Sequence, residues 1–140
     1  MAEGRASVLR ATDVPARSTT IYPAPYAAAL AGRAKRALGD AFGLTQFGVN
    51  LTELAPGAAS AERHWHERED EFIFVLEGQV TLVDEAGEHL LTPGMCAGFR
   101  SGVPNAHKLV NRSSAPRASS RSAPAARVTA CTTRRPTWPR

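Results

Sequence analysis

Four side chains of this sequence have the types and spacing to hold a metal ion: His64, His66, Glu71 and His107. His64 and His66 stand at i and i+2, so on an extended segment both imidazoles project from one face. Glu71 follows five positions after His66, which on one unbroken strand would set it on the opposite face. The charged run Glu67-Arg68-Glu69-Asp70 reads as a turn or bulge, and a turn resets that parity. Glu71 then points inward at the start of the next strand, with Ile73 and Val75 behind it and Phe72, Phe74 and Leu76 facing a second apolar layer. His107, from a later strand, completes a mixed nitrogen and oxygen set. Such a set suits a divalent transition metal, Mn, Fe, Ni, Cu or Zn, and ligand type alone does not choose among them. A His-x-His pair also fits surface or structural histidines, and spacing does not separate the two readings. His89 is read as a solvent-facing strand residue, and Trp65, between the paired histidines, as core packing.

The elements that must position these groups are short and extended. Glu71 to Leu76, closed by Glu77-Gly78 and followed by Gln79 to Asp84, predicts a hairpin. Glu85-Ala86-Gly87 turns into Glu88 to Leu91, Pro93-Gly94 turns again, and Cys96 to Phe99 and His107 to Val110 supply two more strands. Upstream, Gln46 to Leu54 alternates, with Phe47, Val49 and Leu51 on one face and Gly48, Asn50 and Thr52 on the other, the period of a half-buried strand. Turns every 8 to 12 residues or so point to an all-β sandwich or small barrel. Ala27 to Leu38 predicts a short helix that Gly39 would end. Residues 1–45 are therefore an irregular arm with a short helix, 46–116 the barrel core, and 117–140 a basic tail.

Composition narrows the function classes. A chain of 140 residues suits one domain. No stretch reaches the ~20 apolar residues of a membrane span, and no leader pattern opens the chain, so a cytoplasmic protein without a membrane partner is expected. Cys96 and Cys131 match no paired zinc or redox spacing. The net charge of +4 is uneven: residues 1–116 hold eleven bases against thirteen acids, a net −2, and the tail holds six arginines and no acid. A tail of that kind is read as disordered, and nucleic acid is not the expected partner.

The motifs resemble those of the cupin superfamily, whose first motif is G-x5-H-x-H-x(3,4)-E-x6-G. Gly57, His64, His66, Glu71 and Gly78 match it, with six residues instead of five after Gly57. The second motif, G-x5-P-x-G-x2-H-x3-N, lies over Gly94, Gly102, His107 and Asn111. Arg100 stands at its proline, and four residues instead of two separate Gly102 from His107. The resemblance implies a single jelly-roll barrel with His64, His66, Glu71 and His107 as metal ligands. It extends to small bacterial cupins with His-Trp-His-Glu and Pro-Gly-x-Cys-Ala-Gly-Phe sequences, seen at residues 64–67 and 93–99, in which Met95 replaces a common aspartate. Such a protein binds or transforms a small-molecule ligand in its barrel. Dioxygenase, decarboxylase and isomerase chemistry are all compatible, and a sensing module without turnover is the alternative. Glu69, Asp70 and Asn105 either line the mouth or are solvated turn residues. The apolar outer face suggests a homodimer.

A cupin of this kind continues past Pro116 into another strand, whereas Arg117 to Arg140 shows little alternation. Back-translation with GC-rich codons yields a shifted frame reading Ala-Arg-Val-Phe-Glu-Val-Gly-Thr-Arg. The expectation is a frameshifted C-terminus and a barrel missing its C-terminal strand.

Overall fold

A computed structural model describes residues 7–18, 32–113 and 125–133. Its described residues form nine strands: β1 (Ala16–Arg17), β2 (Arg33–Ala37), β3 (Phe47–Leu54), β4 (Glu71–Glu77), β5 (Val80–Asp84), β6 (Gly87–Leu91), β7 (Cys96–Phe99), β8 (Lys108–Val110) and β9 (Ala126–Thr133). One four-residue helix, α1 (Leu38–Ala41), links β2 to β3, and a single 3-10 turn spans Ala11–Asp13. The strands make a six-stranded sheet in the order β1-β2-β3-β9-β4-β7 and a three-stranded sheet in the order β6-β5-β8. Every pairing is antiparallel. The all-β jelly-roll expectation is met.

The interior is graded along the strands because inward positions recur every second residue. At one end Leu54, Val75, Val80, Leu91, Ala126 and Val128 are buried together between the sheets. Following β3, β4 and β9 toward the other end, the inward residues become polar: Thr52 and Asn50, then Glu71, then Thr132. The apolar end closes the barrel, and the polar end leaves a cavity.

Two expectations about local elements require correction. Within the predicted helix Ala27 to Leu38, residues 27–31 lie outside the described residues, and Arg33–Ala37 is strand β2, paired along its length with β3. Sheet hydrogen bonding overrides the helix propensity of alanine, leucine and the basic residues there. The predicted hairpin at Glu77-Gly78 is not a hairpin: β4 pairs with β7 and β9, whereas β5 pairs with β6 and β8. Gly78, at φ +71°, carries the chain from one sheet to the other. A Cβ there would lie 2.9 Å from both the Ala125 carbonyl oxygen and Ala126 Cα. The β5–β6 turn at Glu85-Ala86 is the hairpin, as expected. On β3 the polar face, Asn50 and Thr52, lines the interior cavity.

The C-terminal strand is present. β9 lies at the centre of the large sheet, pairing with β3 from Phe47↔Thr133 to Leu54↔Ala126 and with β4 on its other side. Ala126, Val128, Ala130 and Thr132 alternate inward, which is a strand pattern of small residues too weakly apolar to stand out in the sequence. Arg127, on the outward face, reaches Glu53 Oε1 at 3.3 Å and Glu77 Oε2 at 3.6 Å, one on each neighbouring strand. The present reading frame therefore supplies the strand whose expected absence motivated the frameshift. The other five tail arginines lie outside the described residues.

Candidate metal centre

The two paired histidines sit on an extended connection between β3 and β4. It is tied down where His64 forms an isolated antiparallel bridge with His107. His64 N donates to the His107 carbonyl at 3.2 Å and His107 N to the His64 carbonyl at 2.9 Å. That bridge brings the two motifs together, with ring centroids of His64 and His107 5.3 Å apart and those of His64 and His66 4.9 Å apart. Glu71 enters from the first residue of β4 with only 13% of its side chain exposed. The turn at residues 67–70 gives it the inward parity read from the sequence, shared with Ile73 and Val75.

One ligand atom from each of His64, His66 and Glu71 lies within 4.8 Å of the others, a spacing a single cation can bridge. His107 reaches the same place by another contact: its Nε2 is 2.7 Å from Glu71 Oε2, and the ring is 3% exposed. It is stacked on Phe99 with centroids 3.5 Å apart and planes 9° from parallel. His66 Nε2 lies 3.4 Å from the same Glu71 oxygen. The donor set fits a transition metal in its outer contacts as well. His64 Nδ1 is 2.7 Å from the Glu62 carbonyl and His107 Nδ1 is 2.9 Å from the Asn105 carbonyl. A carbonyl accepts only from a protonated nitrogen, so Nδ1 of each ring carries a proton and Nε2 is the nitrogen turned to the interior, the orientation found in metal-ligating histidines; on His107 that nitrogen here donates to Glu71.

The electrostatics of the cluster are those of a carboxylate held among imidazoles. Burial alone would raise the pKa of Glu71, but the hydrogen bond with His107 and the charges of His107, His64 and His66 outweigh it and hold the carboxyl below its ordinary range. Burial works the other way on His107, opposing its charge. The bonds to Glu71 and to the Asn105 carbonyl, with the charges of Glu71 and Asp84, more than offset that and raise its pKa.

The remaining candidates are placed outside the cluster. His89 is solvent-facing, as expected, with Nε2 3.1 Å from Asp84 Oδ1. Glu69 Oε2 lies 3.5 Å from His66 Nδ1. Asp70 and Asn105 organise loops: Asp70 Oδ1 accepts from Ser101 N at 2.8 Å, and Asn105 Oδ1 accepts from Glu85 N at 3.0 Å. Asn111, the last position of the second motif, is fully buried and donates to the Leu54 carbonyl at 2.8 Å. Trp65 is 40% exposed and is not part of the buried core, because alternation turns it outward when its two histidine neighbours face in.

A cavity of about 240 Å³ opens beside His64 and Glu71, and its walls hold residues the sequence reading did not assign to the site. Arg33 and Lys35 come from β2, Asn50 and Thr52 from β3, and Thr132 from β9. Alternation of Arg33 and Lys35 was the available signal, hidden by the helical reading of the segment. Thr132 was hidden in the stretch read as a disordered tail.

A barrel of two antiparallel sheets with an imidazole and carboxylate cluster at its polar end is the cupin arrangement, and the chain belongs to the cupin superfamily. Residues 50–118 match the family described as Cupin domain. The chain is 43% identical to a sugar phosphate isomerase from a cupin superfamily, from Silicibacter pomeroyi, with a TM-score of 0.82 over 92% of this chain and 76% of that one. A protein provisionally named a sugar phosphate isomerase, from Acidithiobacillus ferrooxidans, is 30% identical, with a TM-score of 0.63 over 73% of this chain and 59% of its own. The polyketide cyclase RemF from Streptomyces resistomycificus, 22% identical with a TM-score of 0.66 over 91% of this chain and 79% of its own, shares the fold. No curated protein matches the chain. No helix among the described residues is long and apolar enough to cross a membrane.

Proposed function

We propose that this cupin holds a divalent transition metal and uses it to bind and isomerise a small hydroxylated molecule in the barrel. The convergence of His64, His66 and Glu71 within 4.8 Å carries the reading. His107, whose Nε2 meets Glu71 at 2.7 Å, would be the fourth residue to hold the metal. A bound divalent ion supplies Lewis acidity, polarising a carbonyl or hydroxyl oxygen. The chain's own residues do the rest. Asn50, Thr52 and Thr132 offer hydrogen bonds to hydroxyl groups from the cavity wall, and the packed Ile73, Val75 and Val128 exclude water beneath it. Among the compatible chemistries, isomerisation is favoured by the similarity to the Silicibacter pomeroyi protein.

A second copy of the chain is the proposed protein partner. Phe72, Phe74 and Leu76 stand at alternate positions of β4 and are 44%, 37% and 44% exposed. The sequence reading gave them a second apolar layer, and no such layer covers them among the described residues.

Elemental analysis of the parent beside a His64→Ala, His66→Ala double variant tests the metal reading, with about one equivalent of metal expected in the parent alone. Equal metal in both overturns it. Proton NMR of the metal-loaded protein with aldose and ketose phosphates then tests turnover. Metal retention without interconversion favours the sensing module.

A further inference from the structure

The cavity beside the metal cluster carries more positive charge than the cluster accounts for. Its charged lining consists of Arg33, Lys35 and Glu71, and Glu71 is committed to the histidines. Arg33 and Lys35 stand at i and i+2 on β2, so both project from the inner face of the sheet, the face that Thr52 and Leu54 of β3 also present. Neither cation forms an ion pair with a carboxylate among the described residues, although the charges of Glu71 and Asp40 act on Lys35. Arg33 spends one terminal nitrogen on the Ser60 carbonyl at 2.6 Å, and its Nε is buried without a hydrogen-bond partner. Burying guanidinium nitrogen without an anion is unfavourable, and this cavity wall presents two cations that an entering anion would meet. Partial desolvation, then the charge of Arg33, hold Lys35 below its ordinary pKa, although much of its surface remains open to solvent. An arriving dianion would relieve that repulsion.

We propose that Arg33 and Lys35 form an anion subsite across the cavity from the metal ligands, and that the ligand is a short hydroxylated phosphate monoester. It would set its phosphate on the two cations and its oxygenated end on the metal. A planar fork beside a compact ammonium suits a tetrahedral dianion better than a lone carboxylate. At about 240 Å³ the cavity lies below the usual range of roughly 300 to 1,000 Å³ for drug-sized ligands, which limits the ligand to a few carbons. Asn50, Thr52 and Thr132 lie between the two ends for its hydroxyls. The proposal deepens the reading of the site as a metal-dependent isomerase, and its test separates the two.

Calorimetric titration of the full, metal-loaded chain with inorganic phosphate gives the primary measurement, with acetate as the carboxylate control. Arg33→Gln and Lys35→Met are each expected to weaken phosphate binding about tenfold, the loss of one charge-assisted contact, with metal content unchanged. Because Lys35 is exposed, Lys35→Met keeps the test valid should Arg33→Gln fail to fold. The His64→Ala, His66→Ala variant is expected to retain most of the phosphate affinity. Phosphate affinity that follows the histidines and ignores both cations overturns the subsite, and so does acetate binding as tightly as phosphate. Loss of the metal reading alone, with the cation dependence intact, would leave the anion subsite standing.

Discussion

Val128→Ala is the sharpest probe of whether residues 126–133 are the centre of the barrel. Val128 is 1% exposed, lies opposite Thr52 on β3 and Val75 on β4, and belongs to the main apolar cluster. Truncation removes two methyl groups from full burial, a transfer loss of about 1.6 kcal/mol at ~0.8 kcal/mol for each. Incomplete collapse of the vacated volume adds about 1 kcal/mol at ~24 cal/mol per Å³, so the expected loss is roughly 2 to 3 kcal/mol. For a domain of this size that lowers Tm by about 10 °C. Thr129→Ala, on the outward face, is the control and is expected to change stability by no more than about 0.5 kcal/mol. Urea unfolding followed by circular dichroism supplies both values. Equal midpoints for Val128→Ala and the parent would show that β9 is not packed in the barrel.

Three further perturbations test separate parts of the structure. Gly78→Ala is expected to cost about 2 kcal/mol or more in urea unfolding, because it adds a Cβ 2.9 Å from two backbone atoms at a positive φ. Asp84 is held below its ordinary pKa: burial opposes its charge, but hydrogen bonds from His89, Asn105 and the Ala86 amide outweigh it. A depressed carboxylate stabilises the fold fully above its unfolded pKa of about 4, and that contribution fades as pH falls through the folded value. The gap in urea midpoint between the parent and Asp84→Asn should therefore be constant near neutrality and shrink in acid; a constant gap down to the lowest pH would refute the linkage. Phe74→Lys places a charge in the exposed row of β4 and is expected to give monomers where the parent sediments as a dimer, whereas a monomeric parent removes the proposed interface.

Some of this protein is legible in its sequence because the information is local. The i, i+2 spacing of His64 and His66, the turn that restores the parity of Glu71, and the alternation of β4 each depend on a few neighbouring residues, and the structure realises all three. Turn residues likewise mark the β5–β6 hairpin. What the sequence left undecided depends on partners distant in the chain. The helix propensity of Arg33–Ala37 yields to β3, which completes its hydrogen bonds from some seventeen positions away. Glu77-Gly78 looks like a hairpin turn until the partner of each strand is known. The inward residues of β9 are alanine, valine and threonine, which carry too little apolar surface to announce a core strand, and only the slot between β3 and β4 makes such small residues fit. The cavity follows the same rule: Arg33, Lys35, Asn50 and Thr132 lie on three strands, and only closure of the barrel places two cations beside the histidines. Residue types and short spacings thus determined which side chains could hold a metal, whereas strand order decided which charges line the cavity beside them.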